Sequence, residues 1–439
     1  MFRIKLFRII LELKGYPINS SIRYLEKIKN LPQGDFEELI NERKWEQFNF
    51  HFANNNLYRK ILKNERVDRW EDIPILTKKD LQKPLREILS KGYRPNNVYC
   101  NKTSGSSGIP FFFGKDKLAH AKTWALILDR YSRHDIEYGV SLQARFYGMP
   151  LEGLGYYKER IKDFFAARVR FPVFDLSYQQ LDRFTDRFRK MKFEYLNGYT
   201  SCLRVFADYL IEKNIVLKDI CPSLKVCFPT SEMCSQSDRE ILEKGFGVKV
   251  ANEYGCAEMD ILAFEDEDFD WVVSNENIIL EIVDEKGKIL KNGEYGRIIL
   301  TSLYNKAVPL IRYEIGDIGA LSLLRKGNSI ILEELKGRSN EFAKLPSGRE
   351  VPALTFYYIT KTLIHQEYGI SEFVIKQISI TNFIFEYVST YEIPIEAKLK
   401  IQNALDLYLE TGLLAIFERK LKIERSPSGK LKQFQNLIS

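Results

Sequence analysis

Histidine is scarce in this chain, with four in 439 residues. The six cysteines, at positions 100, 202, 221, 227, 234 and 256, contain no C-x-x-C pair. With so few histidines and no paired thiols, a structural zinc site is not expected. A disulfide scaffold is excluded as well, since such scaffolds are short and cysteine-dense. A reduced, cytoplasmic protein is expected. No apolar run reaches the roughly 18–20 residues that a membrane span needs. Two phosphate-binding signatures are missing: Gly-Lys-Ser/Thr and G-x-G-x-x-G occur nowhere. Their absence argues against a P-loop GTPase, a kinase of that type and a dinucleotide fingerprint. Strong charge is lacking too. The formal net charge is +7, and residues 1–30 hold seven Lys/Arg against two Glu. The rest of the chain is nearly balanced, so no nucleic-acid partner is expected.

What the chain does contain is globular. Hydrophobic residues make up 45% and aromatic residues 13%, enough to fill large cores or a substrate pocket. The length predicts two or more domains. The first segment, Met1-Phe2-Arg3-Ile4-Lys5-Leu6-Phe7-Arg8-Ile9-Ile10-Leu11, mixes basic and apolar residues and is too interrupted for a secretory leader. It reads as a first helix packed on the body, or as a basic amphipathic helix through which residues 1–15 touch anionic lipid at the inner face of the membrane.

Residues 20–95 read as helices with short loops, and Thr77 is placed to cap a helix at Lys78. Helical periodicity runs over 117–136, with Leu118, Trp124, Leu128 and Tyr131 as apolar markers, and over 178–192. Val226-Cys227-Phe228 and Val248-Lys249-Val250 read as short buried strands. Alternation of helix and strand over 140–260 predicts an α/β layer. After 270 the texture becomes β-rich, with strands at Ile278–Val283 and 297–301 and turns at Lys286-Gly287-Lys288 and Asn292-Gly293. An antiparallel β subdomain is expected there. The acidic run Glu265-Asp266-Glu267-Asp268 reads as a solvated loop.

Several short stretches can carry chemistry. Thr103-Ser104-Gly105-Ser106-Ser107-Gly108-Ile109-Pro110 offers hydroxyls and amides to phosphate oxygens, and its glycines permit close backbone approach; it also reads as an ordinary surface loop. Tyr254, in Glu253-Tyr254-Gly255-Cys256-Ala257-Glu258, presents a flat face for a base or fills the core. Glu258 is a hard oxygen donor suited to Mg²⁺, or a helix-start residue. Asp317 can accept from a ribose diol or sit in a turn. Arg338 can pair with phosphate. Glu232, in Pro229-Thr230-Ser231-Glu232, is a cap or a ligand contact. Tyr199, Thr200 and the pair Phe146-Tyr147 are candidates for a substrate pocket or for packing. Lys430 is a lone cation on the Ser428-Gly429 turn.

Taken in order from about Pro74 to Lys430, these motifs resemble the adenylate-forming superfamily, in particular its phenylacetate–coenzyme A ligase-like and CapK-like branch. Pro74-Ile75-Leu76-Thr77-Lys78 resembles that branch's lead-in to the phosphate loop. Leu300-Thr301-Ser302-Leu303 with Pro309-Leu310-Ile311-Arg312-Tyr313 and Ile315-Gly316-Asp317 is the most specific stretch. The resemblance implies that Thr103, Ser104, Gly105, Ser106, Ser107 and Gly108 hold the β- and γ-phosphates of ATP. It implies that Tyr254 stacks on adenine in a pocket lined by Ser231 and Glu232, that Glu258 engages Mg²⁺, and that Asp317 and Arg338 hold the ribose and its phosphate edge. Lys430 would bridge the substrate carboxylate and the α-phosphate.

The fold it implies is α/β: a large domain over 1–336 with a β subdomain, and a small mobile α+β domain over 337–439 that carries Lys430. The activity it implies is adenylation of a carboxylic acid, then acyl transfer to a thiol such as coenzyme A, or to an amine during surface-polysaccharide assembly. A nucleotide-binding protein without turnover is the rival. Two departures bear on it: Ile109 stands where close relatives often have Lys, and Asn340 replaces a commoner acidic hinge residue. No zinc site is expected after the Tyr-Gly motif, because residues 260–275 contain neither Cys nor His.

Overall fold

The computed structural model describes residues 2–102, 111–148, 153–336, 342–352, 355–360, 370–423 and 434–438. The Thr103–Gly108 loop, Arg338, Asn340 and Lys430 lie outside the described residues. The chain divides into two compact units. Unit 1 gathers the described residues of 1–103, 111–140 and 251–338; unit 2 gathers those of 141–250 and 339–439.

In unit 1 the helices Ile18–Lys29, Gln33–Asn54 and Lys117–Ser132 accompany an antiparallel sheet. Its strand order is Ile278–Val283, Gly296–Ser302, Tyr313–Lys326, Ser329–Lys336, Trp271–Val273, Asp260–Glu265 and Glu253–Cys256. The antiparallel subdomain expected after 270 is present, with Ile278 opposite Ser302 and Val283 opposite Arg297. The Lys286-Gly287 turn forms because Asp284 Oδ1 accepts from the backbone N–H of Lys286 at 2.8 Å and of Lys288 at 2.9 Å. Thr77 starts the short helix Lys78–Leu81 as expected: its N–H and Oγ1 donate to Asp80 Oδ2 at 2.7 and 2.6 Å.

Two sequence expectations need correction here. Leu118, an apolar marker of the helical period, is 45% exposed; the buried face of its helix is set by Ala121, Ala125, Leu126 and Tyr131. The acidic run is not simply solvated. Glu265 is buried and accepts from the backbone N–H and Nδ2 of Asn252 at 2.8 and 3.0 Å. Asp266, Asp268 and Asp270 surround Lys326 Nζ at 2.7, 2.9 and 2.6 Å, which raises the lysine's pKa. A carboxylate cluster that looks repulsive in sequence is held by one cation brought in from a neighbouring hairpin.

Unit 2 has a parallel sheet in the order Arg168–Phe171, Gln143–Phe146, Tyr195–Tyr199, Val226–Thr230 and Lys249–Val250. Here the aromatic content is used. Phe146 and Phe171 stack at 4.7 Å, and Phe184, Phe188, Phe193 and Phe206 pack around them. Gly198 is required by this packing: a Cβ there would lie 2.4 Å from the Phe146 Cβ. A four-stranded sheet follows, in the order Leu414–Arg419, Asn382–Ser389, Ile370–Gln377 and Phe434–Asn436, with the helix Ile395–Tyr408 against it. This is the α+β texture expected of the C-terminal hundred residues. None of the six cysteines, all among the described residues, is in a disulfide. Among the described residues, no helix is long and apolar enough to cross a membrane.

Two buried histidines give unit 1 a pH dependence. His51 is fully buried, with Nδ1 3.0 Å from Ser90 Oγ and Nε2 2.9 Å from the carbonyl of Asn305. A carbonyl only accepts, so Nε2 carries the proton and the ring is neutral. Burial pushes its pKa down to about 4. His120, which accepts from Trp124 Nε1 at 3.1 Å, is likewise pushed down to about 4 by burial. The folded pKa lies below the unfolded one in both cases. The unfolded chain therefore binds more protons between pH 4 and 6.5, and stability is full above that window and falls as the pH drops through it. Each histidine is expected to remove roughly 3 kcal/mol between pH 7 and pH 4. Urea midpoints across that range check this; His51→Gln should flatten the slope, and an unchanged slope would refute the assignment.

Candidate functional site

In unit 1 the two motifs singled out in sequence meet side by side. Tyr254 lies in the strand Glu253–Cys256, and its hydroxyl donates to Asp317 Oδ2 at 3.0 Å. Asp317 is aimed there by an irregularity in the ladder. Arg297 is opposite Ile318 but Ile299 is opposite Glu314, so Ile315-Gly316-Asp317 bulge out of the pairing. Gly316 has φ +83°, in the left-handed region that favours glycine. The Ile-Gly-Asp stretch is thus a bulge that presents a carboxylate.

Gly255 is equally constrained. A Cβ there would lie 2.3 Å from the carbonyl oxygen of Asp260, at the place where the pairing of the two strands shifts register. The Tyr-Gly pair lets the hairpin close tightly, and residues 257–259 form its tip. Glu258, on that tip, turns inward: it is 7% exposed, and Oε1 accepts from the hydroxyl of Tyr313 at 2.8 Å. Beside it, Lys115 and Asp260 form an ion pair in which the lysine is buried. The cavity that Glu258 lines with Lys115, Asn277, Tyr304 and Asn305 measures about 20 Å³. That holds one water-sized group, so it is not a nucleotide pocket.

Arg312 and Tyr313 precede the bulge. Arg312 is 1% exposed, with φ +46°. Its guanidinium donates to the carbonyls of Glu71, Ile73 and Gly287 at 2.8, 2.8 and 3.1 Å. Leu76 donates to the carbonyl of Arg312 at 2.9 Å, and the N–H of Glu314 donates to the carbonyl of Leu76 at 2.8 Å. The Pro74–Lys78 lead-in and the Arg312-Tyr313 motif, far apart in sequence, are therefore stitched together backbone to backbone. The role of Arg312 was not read from sequence. Its sign was an arginine inside an apolar run, Leu310-Ile311-Arg312-Tyr313, where a charge requires partners.

In unit 2 a second cluster sits at the carboxyl ends of adjacent parallel strands, where ligands of open α/β sheets bind. Tyr147 follows Gln143–Phe146, Tyr199 and Thr200 close Tyr195–Tyr199, and Ser231 and Glu232 follow Val226–Thr230. The hydroxyls of Tyr147 and Ser231 are 3.0 Å apart, and the rings of Tyr147 and Tyr199 are 4.4 Å apart. The guanidinium of Arg145 lies 4.1 Å over the Tyr147 ring. Ser231 adopts φ +69°, a left-handed conformation uncommon outside glycine and found at ligand sites.

The carboxylate of Glu232 accepts from the backbone N–H of Ser201 at 2.8 Å, so it caps the helix Thr200–Glu212; burial raises its pKa. Thr200 is fully buried, and its hydroxyl donates to the Glu232 carbonyl at 3.3 Å. Those two residues frame the cluster, while Ser231 is exposed at it. Tyr254 is mostly buried, 9% exposed, and packs edge-on to Trp271 at 6.3 Å, as a core residue does.

Among the described residues, no three or more His, Cys, Asp or Glu side chains are grouped to hold a metal ion. A Mg²⁺ ion bound chiefly by phosphates needs only one or two carboxylates. Glu258 fits that need: Tyr313 holds Oε1, and Oε2 has no hydrogen-bond partner among the described residues.

No protein-family model matches the chain. It is 24% identical over 427 residues to Protein CapK of Staphylococcus aureus, covering 93% of this chain and 91% of that one. It is 23% identical over 317 residues to a phenylacetate–coenzyme A ligase of Thermus thermophilus, covering 68% of each. Among solved structures, 2-hydroxyisobutyryl-CoA ligase in complex with 2-HIB-AMP and CoA superposes with a TM-score of 0.58 at 17% identity, over 94% of this chain and 91% of that one. An open conformation of the same ligase gives 0.57 at 16% identity, over 92% of both. By sequence the chain is similar to CapK and to the phenylacetate–coenzyme A ligases, and it shares the fold of 2-hydroxyisobutyryl-CoA ligase.

Proposed function

We propose that this protein is an ATP-dependent ligase that activates a carboxylic acid as its acyl adenylate, releases pyrophosphate, and passes the acyl group to a thiol or an amine. The observation that carries the reading is the contact between Tyr254 and Asp317, 63 residues apart and joined at 3.0 Å through a hairpin and a bulge. The Tyr254 hydroxyl orients the Asp317 carboxylate, which then accepts from a ribose diol. Ser231, exposed and held in a strained conformation, offers its hydroxyl to the nucleotide, and Tyr147 and Tyr199 wall an acid pocket. Thr103 to Gly108 supply phosphate donors, and Arg338 supplies a phosphate contact. Glu258 is the carboxylate that would hold Mg²⁺; the ion, when bound, offsets the repulsion between two anions and the charge that develops as pyrophosphate leaves.

Lys430, on a C-terminal lobe over 337–439 that moves relative to the rest, neutralises the attacking carboxylate and the α-phosphate. The test is carboxylate-dependent exchange of label between pyrophosphate and ATP. Lys430→Ala is expected to lower exchange by roughly 10²–10³-fold with ATP binding retained. Exchange with none of a broad panel of acids, alongside normal ATP binding, would refute turnover and leave a nucleotide-binding protein.

Two acceptors belong to the proposal: a thiol such as coenzyme A, or an amine in surface-polysaccharide assembly. Product masses from the same reaction, run with coenzyme A or with amino sugars, separate the two. The working place is the cytoplasm. A peripheral membrane contact through residues 1–15 is part of the proposal. Phe7 is engaged with Trp124 and Tyr138 at 4.9 and 5.8 Å, which leaves Ile9 and Leu13 as the exposed apolar residues beyond it.

A further inference from the structure

The helix Gly153–Phe165 in unit 2 turns an apolar stripe outward. Tyr157 is 66% exposed, Ile161 59% and Phe164 72%, with Phe165 beside them at 37%. At about 100° per residue, these four side chains fall within one arc of roughly a quarter of the helix surface. The charges on this helix are sorted by sign. Both acids face inward: Asp163 is buried and pairs with Arg168 at 3.3 Å and Arg170 at 2.8 Å, and Glu159 pairs with Arg170 at 2.6 Å. The cations flank the outward stripe, with Arg160 on one side and Lys158 and Lys162 on the other. Lys162 reaches Glu159 at 2.6 Å, while Lys158 and Arg160 have no ion-pair partner among the described residues.

A core-packing helix would bury this stripe, and an ordinary surface helix would not place three large side chains in a row on its solvent face. Aromatic and aliphatic side chains flanked by Arg160 on one side and Lys158 on the other match the boundary between acyl chains and anionic headgroups: the apolar stripe enters the former while the long cationic stems reach the latter. A second copy of the chain fits poorly. A two-fold contact through this face would bring cation against cation, and protein interfaces are depleted in lysine at their centres.

We infer that the helix Gly153–Phe165 is a docking face for an anionic lipid bilayer, with Tyr157, Ile161 and Phe164 inserted and Lys158 and Arg160 on the headgroups. This does not depend on the ligase reading.

The test is sedimentation of the full-length protein with phosphatidylcholine vesicles that do or do not contain phosphatidylserine. Binding is expected only with phosphatidylserine, and should weaken with added salt. Tyr157→Ser/Ile161→Ser/Phe164→Ser is expected to lower the partition coefficient by roughly tenfold or more. Lys158→Glu/Arg160→Glu, which leaves the apolar packing untouched, should do the same. A variant lacking residues 1–15 separates the two membrane contacts. The proposal is overturned if the wild type ignores both vesicles, if binding is lost only on deleting residues 1–15, or if the triple variant turns a dimer into a monomer with vesicle binding unchanged.

Discussion

Replacing Arg312 by methionine is expected to destabilise unit 1 by roughly 3–5 kcal/mol, the range seen when one partner of a buried charge network is removed. The side chain is 1% exposed, and its guanidinium satisfies three carbonyls, those of Glu71, Ile73 and Gly287. Methionine matches the length of the stem but donates nothing, so the buried Ile73 carbonyl and the part-buried carbonyls of Glu71 and Gly287 lose their partner together. Glu281 adds to the loss. Its carboxylate is buried 3.5 Å from Arg312 Nε; burial raises its pKa, and the positive charge of the arginine opposes that rise. Without the arginine, the buried carboxylate is left with only Trp70 and Lys44 to offset its charge.

The denaturation midpoint and protease cleavage within residues 70–76 both report the outcome. Because the two groups are coupled, Glu281→Gln in the Arg312→Met background should recover part of the loss, on the order of 1–2 kcal/mol. A single variant as stable as the wild type, or strictly additive double-variant energies, would show that the guanidinium is not the clamp described here.

Glu258→Gln is expected to leave the fold intact and to lower acid-dependent pyrophosphate exchange by roughly 10²–10³-fold, the effect of removing one preorganised electrostatic group. Glutamine keeps an oxygen for the Tyr313 hydroxyl, which donates to Glu258 Oε1 at 2.8 Å, so the contact that orients the hairpin tip survives. What disappears is the negative charge and, with it, the hard donor proposed for Mg²⁺. The Mg²⁺ concentration for half-maximal exchange should rise together with the fall in rate. Tyr313→Phe retains the charge but frees it to turn, and should give a smaller loss, mostly in the Mg²⁺ requirement. Wild-type exchange and an unshifted Mg²⁺ dependence in Glu258→Gln would remove Glu258 from the reaction.

Both predictions concern residues whose surroundings no local pattern announces. The strands over 278–302 were legible because turn residues with a known mechanism bracket them: Asp284 closes one turn with its own side chain, and Gly293 sits at φ +89°. The helix after Thr77 was legible for the same kind of reason, a capping contact three residues long. Expectations failed where the deciding partner comes from elsewhere in the chain. Leu118 satisfies a helical period yet is exposed, because only the packed neighbours decide which side of a helix is inside. The acidic run looked solvated because Lys326, which holds three of its neighbouring carboxylates, is supplied by another hairpin.

The site divides along the same line. The order of Tyr254, Glu258, Arg312, Tyr313 and Asp317 could be read in one dimension, and so could the chemical type of each group. Their pairing could not. That Tyr254 meets Asp317, that Tyr313 rather than a lysine secures Glu258, and that Tyr147, Tyr199 and Ser231 share one edge of a parallel sheet all follow from strand register and a bulge. Residue identity and spacing control local backbone preference and the chemistry on offer, since both act over a few bonds. Which groups stand within 3 Å of one another depends on contacts between segments that diffuse independently until the sheets close, and only the packed molecule specifies them.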